Sequence, residues 1–234
     1  GKSDIEAGVV RAIGKPAERF DEDYIRLLRA IRFATVLEFD IEESTWASIR
    51  AGASNISQIA PERIREELDR ILVHENRVRG FDLLVESGLM KAIFPEILEL
   101  RGCEQPPQWH PEGDVFVHTR LMLSLLPPVV SLPLVLSVLF HDIAKPATFS
   151  YDPAEDRIRF NGHDKLGADM TGEILGRLRY SNAVIDAATA GVANHMMFKD
   201  VQKMRQSRLK RFMARDTFGD ELELHRVDCE GSNG

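Results

Sequence analysis

The apolar run Leu136-Ser137-Val138-Leu139-Phe140 ends in an adjacent histidine and aspartate, His141-Asp142, followed by Ile143-Ala144-Lys145-Pro146. An unpaired charge beside a core is expensive, so a helical run that closes on His-Asp points to a cation at that end. His118, His163, His195 and Asp228 lie in the same half of the chain and add further imidazole and carboxylate donors. Lys145 follows Asp142 by three residues. That helical spacing allows an ion pair with Asp142 as readily as a free ammonium that neutralises a bound phosphate. His74, His110 and His225 have no comparable place in the pattern and read as ordinary polar groups. Asp114 stands where it would cap the helix carrying His118, which favours a structural role for it.

The 234 residues suit two packed units, and 44% hydrophobic with 29% charged residues describes a globular protein. A net charge of −7 does not advertise a nucleic-acid binder, so any such role needs local basic patches. One exists between residues 201 and 215, where Lys203, Arg205, Arg208, Lys210, Arg211 and Arg215 occur without an acidic residue. This run reads equally as a solvated helix face and as a track for a phosphate backbone. Cys103 and Cys229 lack the paired spacing of a zinc ribbon and read as free thiols in a reducing compartment. No secretory signal opens the chain, and the most apolar stretch, residues 132–140, is far shorter than the ~20 residues of a membrane span. The expectation is a cytoplasmic protein with no membrane partner. Gly1-Lys2-Ser3 has the letters that end a phosphate-binding loop without its upstream glycine or strand, and the abrupt start is expected of a fragment of a longer polypeptide.

The elements that must position these residues are helical. Periodicity predicts a helix from Asp21 whose Ile25, Leu28 and Ile31 share a face, and helices over residues 41–53, 61–73, 77–86 and 89–94. On the first of these, Asp23, Arg26 and Arg29 lie along one side, and a salt-bridged solvated face accounts for that spacing. No stretch before residue 100 alternates well enough for a strand. Residues 101–109 change composition and read as a linker. Beyond it, Pro146 is expected to close the apolar helix, residues 149–151 and 158–160 to form a small hairpin, and further helices to cover 163–178, 183–193 and 218–228. The fold class is therefore all-α, a short-looped helical bundle over residues 1–101 followed by a helical domain over 102–234.

Glu22-Asp23-Tyr24-Ile25-Arg26-Leu27-Leu28-Arg29-Ala30-Ile31-Arg32-Phe33, with Arg19-Phe20 before it and Pro61-Glu62-Arg63-Ile64 and Glu67-Leu68 after it, resembles the neck and body of class II CCA-adding enzymes and bacterial poly(A) polymerases. The resemblance implies that Asp23 and Arg26 meet the Watson–Crick edge of an incoming nucleotide. A carboxylate and a guanidinium fork supply matching acceptors and donors. It also implies RNA, in particular tRNA, as a partner. The family's catalytic head, with a Gly-Ser or Gly-Gly loop and paired carboxylates for magnesium, has no counterpart in these residues, so no nucleotide addition is expected of them alone.

The ordered set His118, His141-Asp142, His163, His195 and Asp228 is similar to the HD phosphohydrolase superfamily, and residues 110–228 resemble the HD domain attached to many members of the first family. That resemblance assigns one metal to His118, His141, Asp142 and Asp228. It assigns a second to His163 and His195, with Asp142 as a bridge. Imidazole suits manganese, iron, cobalt, nickel or zinc, and the mixed nitrogen and oxygen set argues against calcium. Metal-assisted phosphoester hydrolysis is the implied reaction, with His141, Asp142 and Lys145 as its catalytic residues. The rival expectation is a non-catalytic module that clamps RNA or mediates homo-oligomerisation.

Overall fold

The computed structural model describes residues 1–106 and 108–232. Pro107, within the expected linker, lies outside the described residues. The chain divides into two compact units, Gly1–Leu98 with Arg177–Arg179, and Glu99–Gly176 with Tyr180–Gly234.

The first unit is built on the helix Ile25–Leu37, whose Ile25, Leu27, Leu28, Ile31 and Ala34 are buried. It packs against the helices Pro61–Leu72 and Arg77–Glu86. Gly80 lies where the three approach: a Cβ there would overlap Ile71 Cγ2 and stand 3.0 Å from Thr35 Oγ1. Pro61 occupies the first helical position, where its missing N–H has no intrahelical partner to lose.

The helix expected from Asp21 is two helices, Pro16–Glu22 and Ile25–Leu37. Asp23 between them is extended, with φ −164° and ψ 103°. Pro16 starts the first helix, and the Asp23 carboxylate accepts from Ile25 N at 3.4 Å, a local bond that competes with helix continuation. Asp23, Arg26 and Arg29 therefore do not share one helical side. The helix expected over residues 41–53 begins at Glu43, where Glu42 caps it by accepting from Thr45 N at 2.8 Å. Asp40–Ile41 instead pairs in parallel with Val9–Val10, a strand pair too short to leave an alternating pattern in the sequence.

In the second unit the apolar helix Leu132–Phe140 forms the centre of the core, with every residue from Leu134 to Phe140 buried. It packs against Val115–Leu125, Asn182–Asn194 and Phe218–Glu230. Gly191 permits one of these approaches, since a Cβ there would crowd Ser137 Cβ at 2.8 Å. The apolar helix stops at His141 rather than at Pro146, because turns from Ile143 N to Phe140 O (3.1 Å) and Lys145 N to Asp142 O (2.9 Å) redirect the chain. Pro146 opens the short helix Lys145–Thr148 instead. The hairpin is present, with Phe149–Asp152 antiparallel to Arg157–Phe160 and Tyr151 opposite Ile158. Helices dominate both units, as expected of an all-α fold. Among the described residues, no helix is long and apolar enough to cross a membrane.

Candidate metal centre

Each of five buried residues reaches the centre from the end of a helix or from the turn beside it. His118 sits on the first turn of Val115–Leu125, which Asp114 caps by accepting from Val117 N at 2.9 Å. His141 and Asp142 follow the apolar helix, His163 begins the helix His163–Arg177, and His195 directly follows Asn182–Asn194. His118, His141, Asp142, His163 and His195 are all buried. Asp228, on the helix Phe218–Glu230, brings its Oδ1 to 3.2 Å from His118 Nε2.

The four imidazoles are oriented in the same way. Nδ1 of His141, His163 and His195 lies 2.9, 2.7 and 2.6 Å from the backbone carbonyls of Val138, Phe160 and Val192. Nδ1 of His118 lies 2.7 Å from Glu112 Oε1. A carbonyl or an ionised carboxylate only accepts, so each Nδ1 must carry the proton, and in a neutral ring Nε2 then holds a lone pair. Three of these Nε2 atoms converge on Asp142: His141 at 3.0 Å from Oδ2, and His163 and His195 at 3.4 and 3.8 Å from Oδ1.

This donor set fits a cation. Among the described residues, His118 Nε2 and His141 Nε2 are buried with no well-aligned hydrogen bond, only a carboxylate oxygen of Asp228 and of Asp142 at 3.2 and 3.0 Å, and the Nε2 atoms of His163 and His195 face one another at 3.1 Å. Two lone pairs at that distance repel unless a proton or metal lies with them, and ligand nitrogens about 2.0–2.1 Å from a shared ion would stand roughly 3 Å apart. Ligand atoms of His118, His141 and Asp142 lie within 4.8 Å of one another, as do those of Asp142, His163 and His195. Asp142 is common to both groups.

The electrostatics follow from these neighbours. Burial opposes ionisation of Asp142, but His141 and Lys145 outweigh it and hold the carboxyl well below its usual range. Asp228 is likewise held low, with His118 and His141 overcoming burial. Burial pulls His118 down, but the Asp228 and Glu112 carboxylates more than compensate and raise it to about 9. Burial lowers His163, and it lowers His195 to about 4, assisted there by His141.

Lys145 forms the ion pair that its spacing allowed: Nζ is 2.7 Å from Asp142 Oδ2 and donates to Gln105 Oε1 at 2.5 Å. It also borders a cavity of about 650 Å³ that Asp142, His163, His195 and Asp228 share with Trp109, Arg157 and Lys199. Three residues near the centre were not foreseen from sequence. His110 Nδ1 lies 2.8 Å from Glu112 Oε1, the oxygen that also meets His118, and Gln105 holds Lys145. His225 stacks on Phe198 with ring centroids 4.6 Å apart, and His74 Nδ1 accepts from Asn76 N at 3.1 Å.

In the first unit, the Asp23 carboxylate takes both terminal nitrogens of Arg63 at 2.7 and 3.2 Å. Arg26 donates to Glu22 Oε2 at 2.6 Å and to Arg19 O at 2.7 Å. The two side chains expected to act together are thus turned to different partners. In the basic run, Lys203, Arg205, Arg208, Lys210 and Arg211 are exposed, mostly on the helix Gln206–Met213. Arg215 is not among them, because it turns to Glu221 Oε2 at 3.1 Å, on a fully buried glutamate.

Comparison with known proteins places this architecture. Residues 38–100 match the family described as "Probable RNA and SrmB- binding site of polymerase A". The chain is 33% identical over 244 residues to the A-adding tRNA nucleotidyltransferase of Deinococcus radiodurans, covering 100% of this chain and 55% of that protein. It is 31% identical over 245 residues to the Multifunctional CCA protein of Burkholderia mallei, covering 100% and 58%. The Bacillus stearothermophilus CCA-adding enzyme in complex with CTP superposes with a TM-score of 0.56 at 18% identity, over 98% of this chain and 52% of that one. The apo form of a CCA-adding enzyme gives 0.57 at 17% identity, over 97% and 48%. The fold is thus one found in CCA-adding enzymes. Over its whole length the chain is similar to tRNA nucleotidyltransferases and CCA proteins, the likeness that its Glu22–Phe33 segment implied, and it spans just over half the length of the curated relatives it matches.

Proposed function

We propose that the second unit is an HD-type, metal-dependent phosphohydrolase within a tRNA nucleotidyltransferase family protein. The observation that carries this reading is the set of four imidazoles whose Nδ1 atoms are committed to acceptors while their Nε2 atoms face Asp142 or Asp228. His118, His141, Asp142 and Asp228 would hold one divalent ion, and His163 and His195 a second with Asp142 in common. Manganese, iron, cobalt, nickel and zinc suit these ligands. A cation bound there supplies Lewis-acid polarisation of a phosphoryl oxygen and activation of water. Lys145 faces the cavity with a positive charge that a phosphate can share, and Arg157 and Lys199 on its wall favour an anionic substrate.

The test is elemental analysis of the untreated protein, followed by a screen of phosphomonoesters and phosphodiesters with added manganese or nickel. Bound metal and turnover, both lost in Asp142→Asn, are the expected results. Hydrolysis retained by that variant overturns the assignment.

A second reading is favoured by the match over residues 38–100 and by the exposed basic helix: the chain binds RNA, in particular tRNA, and serves nucleotide addition by a longer protein. In that reading Lys203, Arg205, Arg208, Lys210 and Arg211 contact phosphates, and Asp23 and Arg26 meet the nucleotide after leaving their present partners. Those ion pairs are partly exposed and cost little to exchange. A protein that binds RNA but neither metal nor phosphoester would establish this reading alone.

A further inference from the structure

Glu112 precedes the His118 helix by only three residues, yet its side chain folds back onto that helix. The loop is tied at both ends. His110 N donates to Pro106 O at 3.0 Å, and Asp114 takes Gly102 N at 2.7 Å on one oxygen and Val117 N at 2.9 Å on the other. Gly113 turns the chain with φ +133°, a conformation that L side chains rarely adopt. The result places a single oxygen, Glu112 Oε1, 2.7 Å from His118 Nδ1 and 2.8 Å from His110 Nδ1. The two rings meet edge to face with centroids 4.9 Å apart. Only 9% of the Glu112 side chain is exposed, and Oε2 is buried without a hydrogen-bond partner among the described residues.

We propose that Glu112 is the positioning residue of the centre: through one carboxylate oxygen it fixes the tautomer and ring direction of His118 and clamps His110 beside it. The proposal rests on the metal reading above. Glu112 meets the edge of the His118 ring opposite the nitrogen that faces Asp228, so it acts through the imidazole. A carboxylate that holds the N–H of a ligand histidine restricts its rotation and raises the basicity of the far nitrogen. The other three imidazoles of the centre lean on neutral backbone carbonyls, so His118 alone among them has a charged supporter. His110, held by the same oxygen, packs against the ring from the cavity side, where it is part of the wall. One side chain thus aligns a ligand and a wall residue.

The experiment is a titration of metal-free full-length chain with cobalt(II), followed by visible absorption, for wild type, Glu112→Ala, Glu112→Gln, His110→Asn and His118→Ala. Glu112→Ala is expected to weaken cobalt binding about 10–100-fold and shift the d–d bands, with circular dichroism of the metal-free form unchanged. Glu112→Gln keeps an acceptor oxygen in the same place, so it should recover part of the affinity. Should the alanine variant fail to fold, a weakened, spectrally shifted site in Glu112→Gln supports the proposal and an unaltered one refutes it. Wild-type affinity and spectrum in Glu112→Ala, with binding lost in His118→Ala, overturn it and leave the metal reading intact. Loss of one whole equivalent of cobalt in both Glu112→Ala and His110→Asn also overturns it, because Glu112 would then be a ligand. Undiminished binding in His118→Ala defeats the metal reading itself, and the proposal with it.

Discussion

Lys145 Nζ lies 2.7 Å from Asp142 Oδ2, the same oxygen that stands 3.0 Å from His141 Nε2. The Lys145 ammonium therefore holds the carboxylate oxygen that a divalent cation would use. Replacing Lys145 with Met keeps the stem volume and removes the competing charge. Divalent metal should bind more tightly in Lys145→Met, on the order of tenfold, equivalent to about 1.4 kcal/mol, while phosphoester turnover falls. A metal titration beside a turnover assay separates the two effects, and weaker binding would show that Lys145 supports the ion instead of competing with it.

Removing Asp142 has the opposite consequence for the same pair. Asp142→Ala leaves the Lys145 ammonium, only 9% exposed, without its carboxylate. Loss of one partner of a buried pair typically costs about 3–5 kcal/mol. The double variant Asp142→Ala/Lys145→Met should regain much of that stability in urea denaturation without regaining metal or activity. Recovery of metal binding in the double variant would show that Asp142 is not a ligand.

The pH dependence of metal binding should differ between the two groups of proposed ligands. His118 keeps its second proton up to about 9 in the metal-free protein, because the Asp228 and Glu112 carboxylates outweigh burial. A cation on its Nε2 must displace that proton, so affinity at this group should rise about tenfold per pH unit toward 9 and level off above it. His163 is lowered from 6.5 and His195 lies at about 4, so both rings are already neutral at pH 7.5 and that group should show no such rise. Calorimetry in buffers of different ionisation enthalpy should count about one proton released per ion at the His118 group. Zero protons at pH 7.5 would contradict the charge state of His118.

The parts of the centre legible in the sequence were those that interrupt an apolar pattern. His141 and Asp142 end a helix whose residues from Leu134 to Phe140 are all buried, and such an ending is visible without coordinates. Gln105 and Glu112 carried no comparable signal: both lie in irregular segments, and their roles depend on how the turns around Gly102 and Gly113 return the chain to Lys145 and His118. The break at Asp23 was hidden for a related reason. Its flanks have helical periodicity, and only the pull of Arg63, 40 residues away, and the local bond to Ile25 N show that the helix is interrupted.

Helix approach in the first unit can be tested independently of any ligand. A Cβ on Gly80 would collide with Ile71 and crowd Thr35, both on neighbouring helices and fully buried. Gly80→Ala gains helix propensity, but overpacking a tight core typically costs about 1–3 kcal/mol and should win. Chemical denaturation should therefore show a lower midpoint. A variant more stable than wild type would mean that the helices separate without penalty.

The basic helix distinguishes surface charge from structural charge. Arg208 and Lys210 are exposed on Gln206–Met213, whereas Arg215 is anchored 3.1 Å from the buried Glu221. If the exposed pair meets phosphates, Arg208→Glu/Lys210→Glu should weaken binding of single-stranded RNA and flatten its dependence on log salt by about 0.7 for each phosphate no longer neutralised. Thermal stability should barely change, since both side chains lie in solvent. Arg215→Ala should do the reverse, because it strips the cation from a buried carboxylate and leaves the exposed charges in place. Measuring RNA affinity across a salt series beside thermal unfolding for both variants gives the answer. An unchanged salt slope in the double reversal would return this helix to the status of a solvated face.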